Sequence, residues 1–261
     1  MTHSVSVIIT TYNSPNYLER VLEGHLAQTV PPGELLVADD GSGPDTARVV
    51  GAFALEVPFP VRHVWQEDLG FRAARIRNRA VAAATGDYLV FTDGDCIPHP
   101  RFIEDHRRLA KPGWFVQGKR MLVNRAASER FVPHGTAGLL ALWRTGGLSG
   151  VHHLVRVPGF APEKKGLKGI KTCNLGVFRS DLLAINGFNE DFVGWGREDS
   201  EMAARLFALG LRRKDPPFSA VVFHLWHGEN PRTSLPENDR RLAETVRSGV
   251  RRCKNGIEKI N

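Results

Sequence analysis

Four short apolar runs in the first hundred residues alternate with stretches of helical spacing, and this alternation constrains the chain more than any other feature. The runs are Val5–Ile9, Glu34–Ala38, Val61–Trp65 and Tyr88–Phe91. Their length and content read as buried strands. After the first, Ser14 can cap a helix and Pro15 suits its first turn. Leu18, Val21, Leu22 and Leu26 recur at helical spacing, and Pro31-Pro32-Gly33 closes the unit. A weaker helix covers about 45–55. Another, from about Arg72 to Ala84, turns Ala73, Ile76, Ala80 and Ala84 inward. Strand–helix–strand order implies parallel pairing with right-handed crossovers, and so a doubly wound, nucleotide-binding half.

The polar residues that follow the strands carry the chemistry. Thr92-Asp93-Gly94-Asp95 places two carboxylates at a strand's C-terminal end, where open α/β sheets gather ligands. Two oxygen donors there suit Mg²⁺ or Mn²⁺. By itself, Asp-Gly-Asp is far more often a turn than a metal site. The second strand closes on Asp39-Asp40-Gly41. Arg72, Arg75 and Arg79 share one helical stripe. Such a stripe is ordinarily solvated, but Arg72 sits in the first turn near the strand ends, where a guanidinium suits a phosphate or a base edge. Neither a G-x-x-x-x-G-K-[ST] nor a G-x-G-x-x-G follows the first strand, which argues against P-loop and dinucleotide-binding enzymes.

The second half is less regular. A basic helix covers 101–111 and a strand 114–117. The glycine-rich stretch 124–169, with Lys164, Lys165 and Lys168, reads as a loop or lid with some helix near 137–144, or as solvated linker. Cys173–Phe178 restores strand character, and Ser180 caps a short helix ending at Gly187. Gly194-Trp195-Gly196-Arg197-Glu198-Asp199-Ser200-Glu201 then leads into a helix with Met202, Leu206 and Leu209 inward. Carboxylates at a helix start complement its dipole. A Trp between glycines offers a sugar-stacking surface or a core anchor. A strand at 220–223 ends in His224-Leu225-Trp226-His227, and either histidine is a candidate metal ligand. Beyond Pro236 a basic amphipathic helix docks on the protein or rests on an anionic membrane surface.

Composition narrows the class. With 42% hydrophobic and 24% charged residues the chain reads as a soluble globule. No apolar run approaches the roughly 18 residues of a membrane span. The N-terminal Met1-Thr2-His3-Ser4 has no leader pattern, and the separated Cys96, Cys173 and Cys253 read as reduced thiols; a cytoplasmic protein is the expectation. A net charge of +7 favours anionic partners. No nucleic-acid-binding motif accompanies it, so nucleic acid is not expected.

Val7–Asn13, Val37–Ser42, the Arg72 helix and Thr92–Asp95 occur in the order and approximate spacing of family 2 glycosyltransferases of the GT-A fold, which this chain resembles. Gly194–Asp199 followed by His224 is similar to the galactosyltransferase-type segment of β-1,4-galactosyltransferases, polypeptide N-acetylgalactosaminyltransferases and chondroitin polymerase domains. The resemblance implies an α/β, Rossmann-like mixed central sheet flanked by helices. It implies one domain over 1–261: a nucleotide-sugar half to about 100, an acceptor and catalytic half to about 235, and the C-terminal basic helix. It assigns Thr10, Tyr12, Asp40, Arg72 and Asp93 to the nucleotide-sugar, and Asp95, Asp93 and His224 (with His227 as rival) to Mn²⁺ or Mg²⁺. Asp199 becomes the general base, with Trp195 and Glu198 shaping the acceptor site. The implied reaction is inverting transfer of a hexose from a UDP-sugar to a glycan or lipid-linked glycan of the bacterial cell envelope, with peripheral membrane contact. Glu201 is a competing acid, and Cys96 has no assigned role. The competing readings are a sugar-nucleotidyltransferase and a non-catalytic glycan- or nucleotide-binding module.

Overall fold

The computed structural model describes residues 3–133, 135–229 and 231–260, so Met1 and Thr2 of the N-terminal stretch lie outside the described residues. The alternation in the first half is realised as β1 (Val5–Thr11), α1 (Pro15–Leu26), β2 (Glu34–Asp39), α2 (Pro44–Glu56), β3 (Val61–Trp65), α3 (Ala73–Ala83) and β4 (Tyr88–Asp93). β1, β2 and β4 each continue past their apolar runs into the polar residues singled out above. The second half follows as β5 (Cys96–Pro98), α4 (Phe102–Leu109), β6 (Trp114–Gln117), β7 (Lys119–Leu122), α5 (Arg125–Ser128) and α6 (Thr136–Arg144). Then come β8 (Asn174–Phe178), α7 (Arg179–Ala184), α8 (Glu198–Leu209), β9 (Arg212–Lys214), β10 (Val221–His224) and α9 (Leu235–Ser248).

The main sheet has seven strands in the order β3-β2-β1-β4-β8-β6-β9. β3, β2, β1 and β4 run parallel, and β8 is antiparallel to both β4 and β6. The mixed sheet flanked by helices is the architecture the resemblance implied. A second, three-stranded sheet, β5-β10-β7, was not anticipated. β5 and β7 are short, and β7 reads Lys-Arg-Met-Leu, so neither carries an apolar run.

Strand alternation divides the core into two layers. Val5, Val7 and Ile9 of β1 pack with Leu18, Val21 and Leu22 of α1 and with Val50 and Phe53 of α2. Ile8 points the other way, to Ala74, Ile76, Ala80 and Val81 of α3 and to Met202 and Leu206 of α8. Truncating such a fully buried isoleucine to alanine costs about 2–5 kcal/mol. Ser6 is polar on the α3 side. Its hydroxyl donates to Glu34 Oε1 at 2.6 Å, and Arg62 pairs with Glu34 Oε2 at 2.9 Å.

Three local expectations are corrected. Ser14 precedes α1 but its side chain makes no cap hydrogen bond, so Pro15 alone marks that start. Ser180 lies inside α7, whose N-cap is Phe178. The C-terminal helix stops at Ser248, where Gly249 turns left-handed (φ 65°), and Cys253 beyond it is buried. Along its length α9 lies against α8. Among the described residues no helix is long and apolar enough to cross a membrane.

Candidate active site

β1 lies between β2 and β4, so the chain leaves the two sides of β1 in opposite directions and a crevice opens at the strand ends. Register sets its walls: Thr10 pairs with Asp93, and Thr11 with Asp39. Gly94 sits where a Cβ would come within 2.8 Å of Thr11 Oγ1, which explains the glycine between the two acids.

On the β2 side, the buried Asp40 accepts from Arg72 N–H at 2.8 Å and from Gln66 Nε2 at 2.5 Å. Burial raises its pKa, and these two donors oppose the rise. Tyr12, half exposed, donates its hydroxyl to Asp68 at 2.8 Å. Thr10 accepts from Arg77 Nε at 3.1 Å. Arg72 contributes its backbone to this cluster. Arg72 also borders a cavity of about 210 Å³ with Arg75, Glu190, Phe192 and Val193.

A second cluster forms on the small sheet. β10 pairs antiparallel to β5 with His224 opposite Cys96, which brings His224 beside Asp95. His224 Nε2 is 3.9 Å from Asp95 Oδ1, and His227 Nε2 is 3.1 Å from Asp95 Oδ2. The three donor atoms lie within 4.8 Å of one another. Ligand atoms about 2.1 Å from an octahedral cation stand about 3 Å (cis) to about 4 Å (trans) apart, a range that holds the 3.1 and 3.9 Å spacings, and a carboxylate with two imidazoles is a donor set that a divalent ion takes. Both histidines join the cluster. Asp93, expected among the ligands, is outside it and turns toward Arg77. Burial works to raise Asp95, but the hydrogen bond from His227 and the two imidazoles hold it below the ordinary carboxylate range. Burial lowers His224, leaving its lone pair available; the Asp95 hydrogen bond pushes His227 up to about 9. The Cys96 thiol donates to Asp95 Oδ1 at 3.2 Å, giving that residue a place in the cluster.

The third cluster is at the start of α8. Gly194, Gly196 and Arg197 all have positive φ (77°, 104° and 76°), and a Cβ on Gly194 would collide with Ser234 at 2.3 Å. The loop is pinned by Gly194 N–H to Phe71 O at 3.0 Å and by Asn238 Nδ2 to Gly196 O at 2.9 Å. Trp195 stays 38% exposed, with the Arg232 guanidinium 5.4 Å from its ring centroid. Glu198, expected at the acceptor, is instead buried and accepts from Arg77 Nη1 at 3.1 Å. Asp199 accepts from the N–H and hydroxyl of Ser200 at 2.6 and 3.2 Å. Burial, then the neighbouring Glu198 charge, pushes it up to about 7 against the pull of Arg77. Glu201 no longer competes as an acid. It is fully buried in a bidentate pair with Arg205, at 2.9 and 2.7 Å.

Sequence reasoning missed Arg77 because it considered only the stripe of Arg72, Arg75 and Arg79. Arg75 and Arg79 are exposed, whereas Arg77 lies beside Ile76 on the buried face. An arginine between inward-facing Ile76 and Ala80 was the available signal. The stretch 124–169 holds α5, α6 and a single 3₁₀ turn at Val151–Leu154, with Phe131, Leu139 and Leu148 reaching the core. It is therefore anchored at several points, while Val132, Leu140, Trp143 and Phe160 remain exposed.

Comparison with known proteins identifies the family and the fold. Residues 6–158 match the profile described as glycosyl transferase family 2, and residues 153–228 match one described as the N-terminal domain of galactosyltransferase. Validoxylamine A glucosyltransferase of Streptomyces hygroscopicus subsp. limoneus is 31% identical over 224 residues, covering 79% of this chain and 48% of that protein. The chain spans about half the length of the validoxylamine A glucosyltransferases it matches. Residues 1–349 of S. aureus TarS in complex with UDP superpose with a TM-score of 0.63 at 19% identity, covering 94% of this chain and 65% of that one. The mannosyltransferase PcManGT from Pyrobaculum calidifontis, in complex with GDP-Man and Mn²⁺, gives 0.59 at 20% identity, covering 95% and 73%. Both structures share the fold.

Proposed function

The chain belongs to glycosyl transferase family 2, and from that premise we propose that it is an inverting, cation-dependent transferase moving a hexose from a UDP-sugar to a glycan or lipid-linked glycan acceptor. The observation that carries the reading is the pairing of two unlike clusters. Asp95, His224 and His227 form one set of cation donors, and Asp199, in the first turn of α8, is an acid without an ion-pair partner of its own among the described residues. Residues 1–100 supply the nucleoside side and Asp95, while the later chain supplies the base and also the two histidines of the cation cluster.

In this reading Asp95, His224 and His227 hold the cation, and two imidazoles favour Mn²⁺ over Mg²⁺. When bound, the cation neutralises the charge that builds on the leaving diphosphate. Thr10, Tyr12 and Asp40 hold the nucleoside, with Asp40 keeping a second lone pair on each oxygen for a base N–H. Asp93 faces the donor sugar. Asp199 takes the proton of the acceptor hydroxyl as its oxygen bonds the anomeric carbon. The bond from that carbon to the diphosphate oxygen breaks on the opposite face, and the diphosphate leaves with the electron pair. One base and no second carboxylate nucleophile imply a single displacement, hence inversion. Trp195 offers the acceptor a stacking face. A cell-envelope glycan is the acceptor class this reading favours.

The test is a panel of UDP-sugars assayed for Mn²⁺-dependent UDP release, with and without glycan acceptors. Release with one sugar, abolished by chelation and restored by Mn²⁺, is expected. Pyrophosphate release instead would make the protein a nucleotidyltransferase. UDP binding without any turnover would make it a binding module.

A further inference from the structure

Four elements converge on one buried group. The Arg77 side chain, on α3, is 5% exposed. Its Nε donates to Thr10 Oγ1 on β1 at 3.1 Å, and its Nη1 to Glu198 Oε1 on α8 at 3.1 Å. Its Nη2 lies 3.5 Å from Asp93 Oδ1 at the end of β4. The plane rests 5.6 Å from the Phe188 ring centroid. Glu198 Oε2 and Asp93 Oδ1 have no hydrogen-bond partner, so the Arg77 guanidinium is the cation paired with two poorly satisfied acids, with Asp199 adjacent to one of them.

We propose that Arg77 is a positioning residue that ties the donor side of the site to the base, by holding Thr10, Asp93 and Glu198 in one frame so that Asp199 stands at a set distance from the donor. The inference rests on the glycosyltransferase reading above. Its physical basis is the entry to α8. Gly196 and Arg197 are both left-handed (φ 104° and 76°), so no regular backbone precedes the first turn. Glu198 is the first residue of α8, and Asp199 follows it directly. Anchoring Glu198 therefore anchors the turn that carries Asp199. A planar fork spreads its donors over three nitrogens and so reaches three separated acceptors; a lysine ammonium presents its three donors from a single point. Arg77 itself contacts neither the Asp95–His224–His227 cluster nor Asp40 by any hydrogen bond among the described residues, so it acts through its neighbours.

The experiment compares R77K, R77Q and E198Q with the full wild-type chain, reading kcat, donor KM, calorimetric UDP affinity in Mn²⁺ and the urea midpoint of unfolding. The expected result is a kcat loss of about 100-fold in R77Q, and a smaller one in R77K, because a misplaced catalytic group costs on that order. Donor KM and UDP affinity stay within about threefold. Parallel loss of kcat and UDP affinity would overturn the proposal and make Arg77 a donor ligand; an unchanged kcat would overturn it outright. If R77Q does not fold, R77K and E198Q carry the test. Their double variant should lose no more kcat than the worse single, and multiplied losses count against the frame. If the wild type turns over no UDP-sugar, the glycosyltransferase reading fails, while the frame is still read from unfolding: non-additive midpoint shifts in the R77K/E198Q cycle support it and additive shifts refute it.

Discussion

The two carboxylates on which the proposed reaction turns, Asp95 and Asp199, sit in contrasting environments. Asp95 faces two imidazoles and a thiol, which outweigh its burial and hold it ionised. Asp199 sits beside another acid, and burial with that neighbour raises it to about 7. A site that separates the proton affinities of two like groups has separated their tasks. The first suits permanent charge, as a cation ligand requires. The second suits a group that gains and loses a proton near neutral pH. A third acid, Glu201, completes the comparison: paired bidentately with Arg205 and fully buried, it is held in one state.

The contrast can be broken most directly at Asp199. D199N should lower kcat by about 10³-fold, within the range lost with a general base, while calorimetric UDP affinity in Mn²⁺ stays within about twofold. Loss of both would make Asp199 structural. Next comes the cation side. H227A should cost about 10²-fold in kcat/KM, roughly 2.7 kcal/mol, and much of the loss should appear as a raised Mn²⁺ requirement in a metal titration. An unaltered Mn²⁺ curve would remove His227 from the cluster. A milder probe is pH. Because the Asp199 pKa is raised to about 7 and the base form is the active one, activity is present above that value and lost below it. kcat/KM at pH 6 should be about a tenth of its plateau, with Glu198 and Arg77 as the charged groups facing Asp199. A rate flat from pH 6 to 8 would separate this acid from the rate-limiting step. The smallest effect on activity belongs to E201Q. The rate per folded molecule should hold, while breaking the buried pair destabilises the fold by about 3–5 kcal/mol, read as a lowered Tm. A rate loss at unchanged Tm would return Glu201 to the list of candidate bases.

Much of this site was legible in the chain. Thr10, Tyr12, Asp40, Asp93 and Asp95 follow apolar runs, and the parallel order of β1, β2 and β4 collects such residues at one edge. The loop before α8 announced itself through glycines and a tryptophan at the entry to a helix. Less legible were elements without hydrophobic patterning. β7 and β9 read Lys-Arg-Met-Leu and Arg-Arg-Lys, and they form strands because neighbours supply hydrogen bonds, not because of intrinsic preference. Arg77 was passed over because the stripe of Arg72, Arg75 and Arg79 drew the reading, although helical spacing puts Arg77 on a different face, the buried one.

Periodicity and strand-end chemistry, read from the sequence by itself, determined the doubly wound half, the crevice at its edge and the acids that line it. Only the tertiary structure decided the partners. It paired β10 with β5, making His224 and His227 neighbours of Asp95, and it turned Asp93 away from that cluster toward Arg77. It also set Glu198 on Arg77 and Glu201 on Arg205, leaving Asp199 as the free acid at the start of α8. The reason is that a residue's local spacing encodes which face of its own element it occupies. Which distant charge meets it there follows from how the elements pack, and that packing sets each acid's proton affinity.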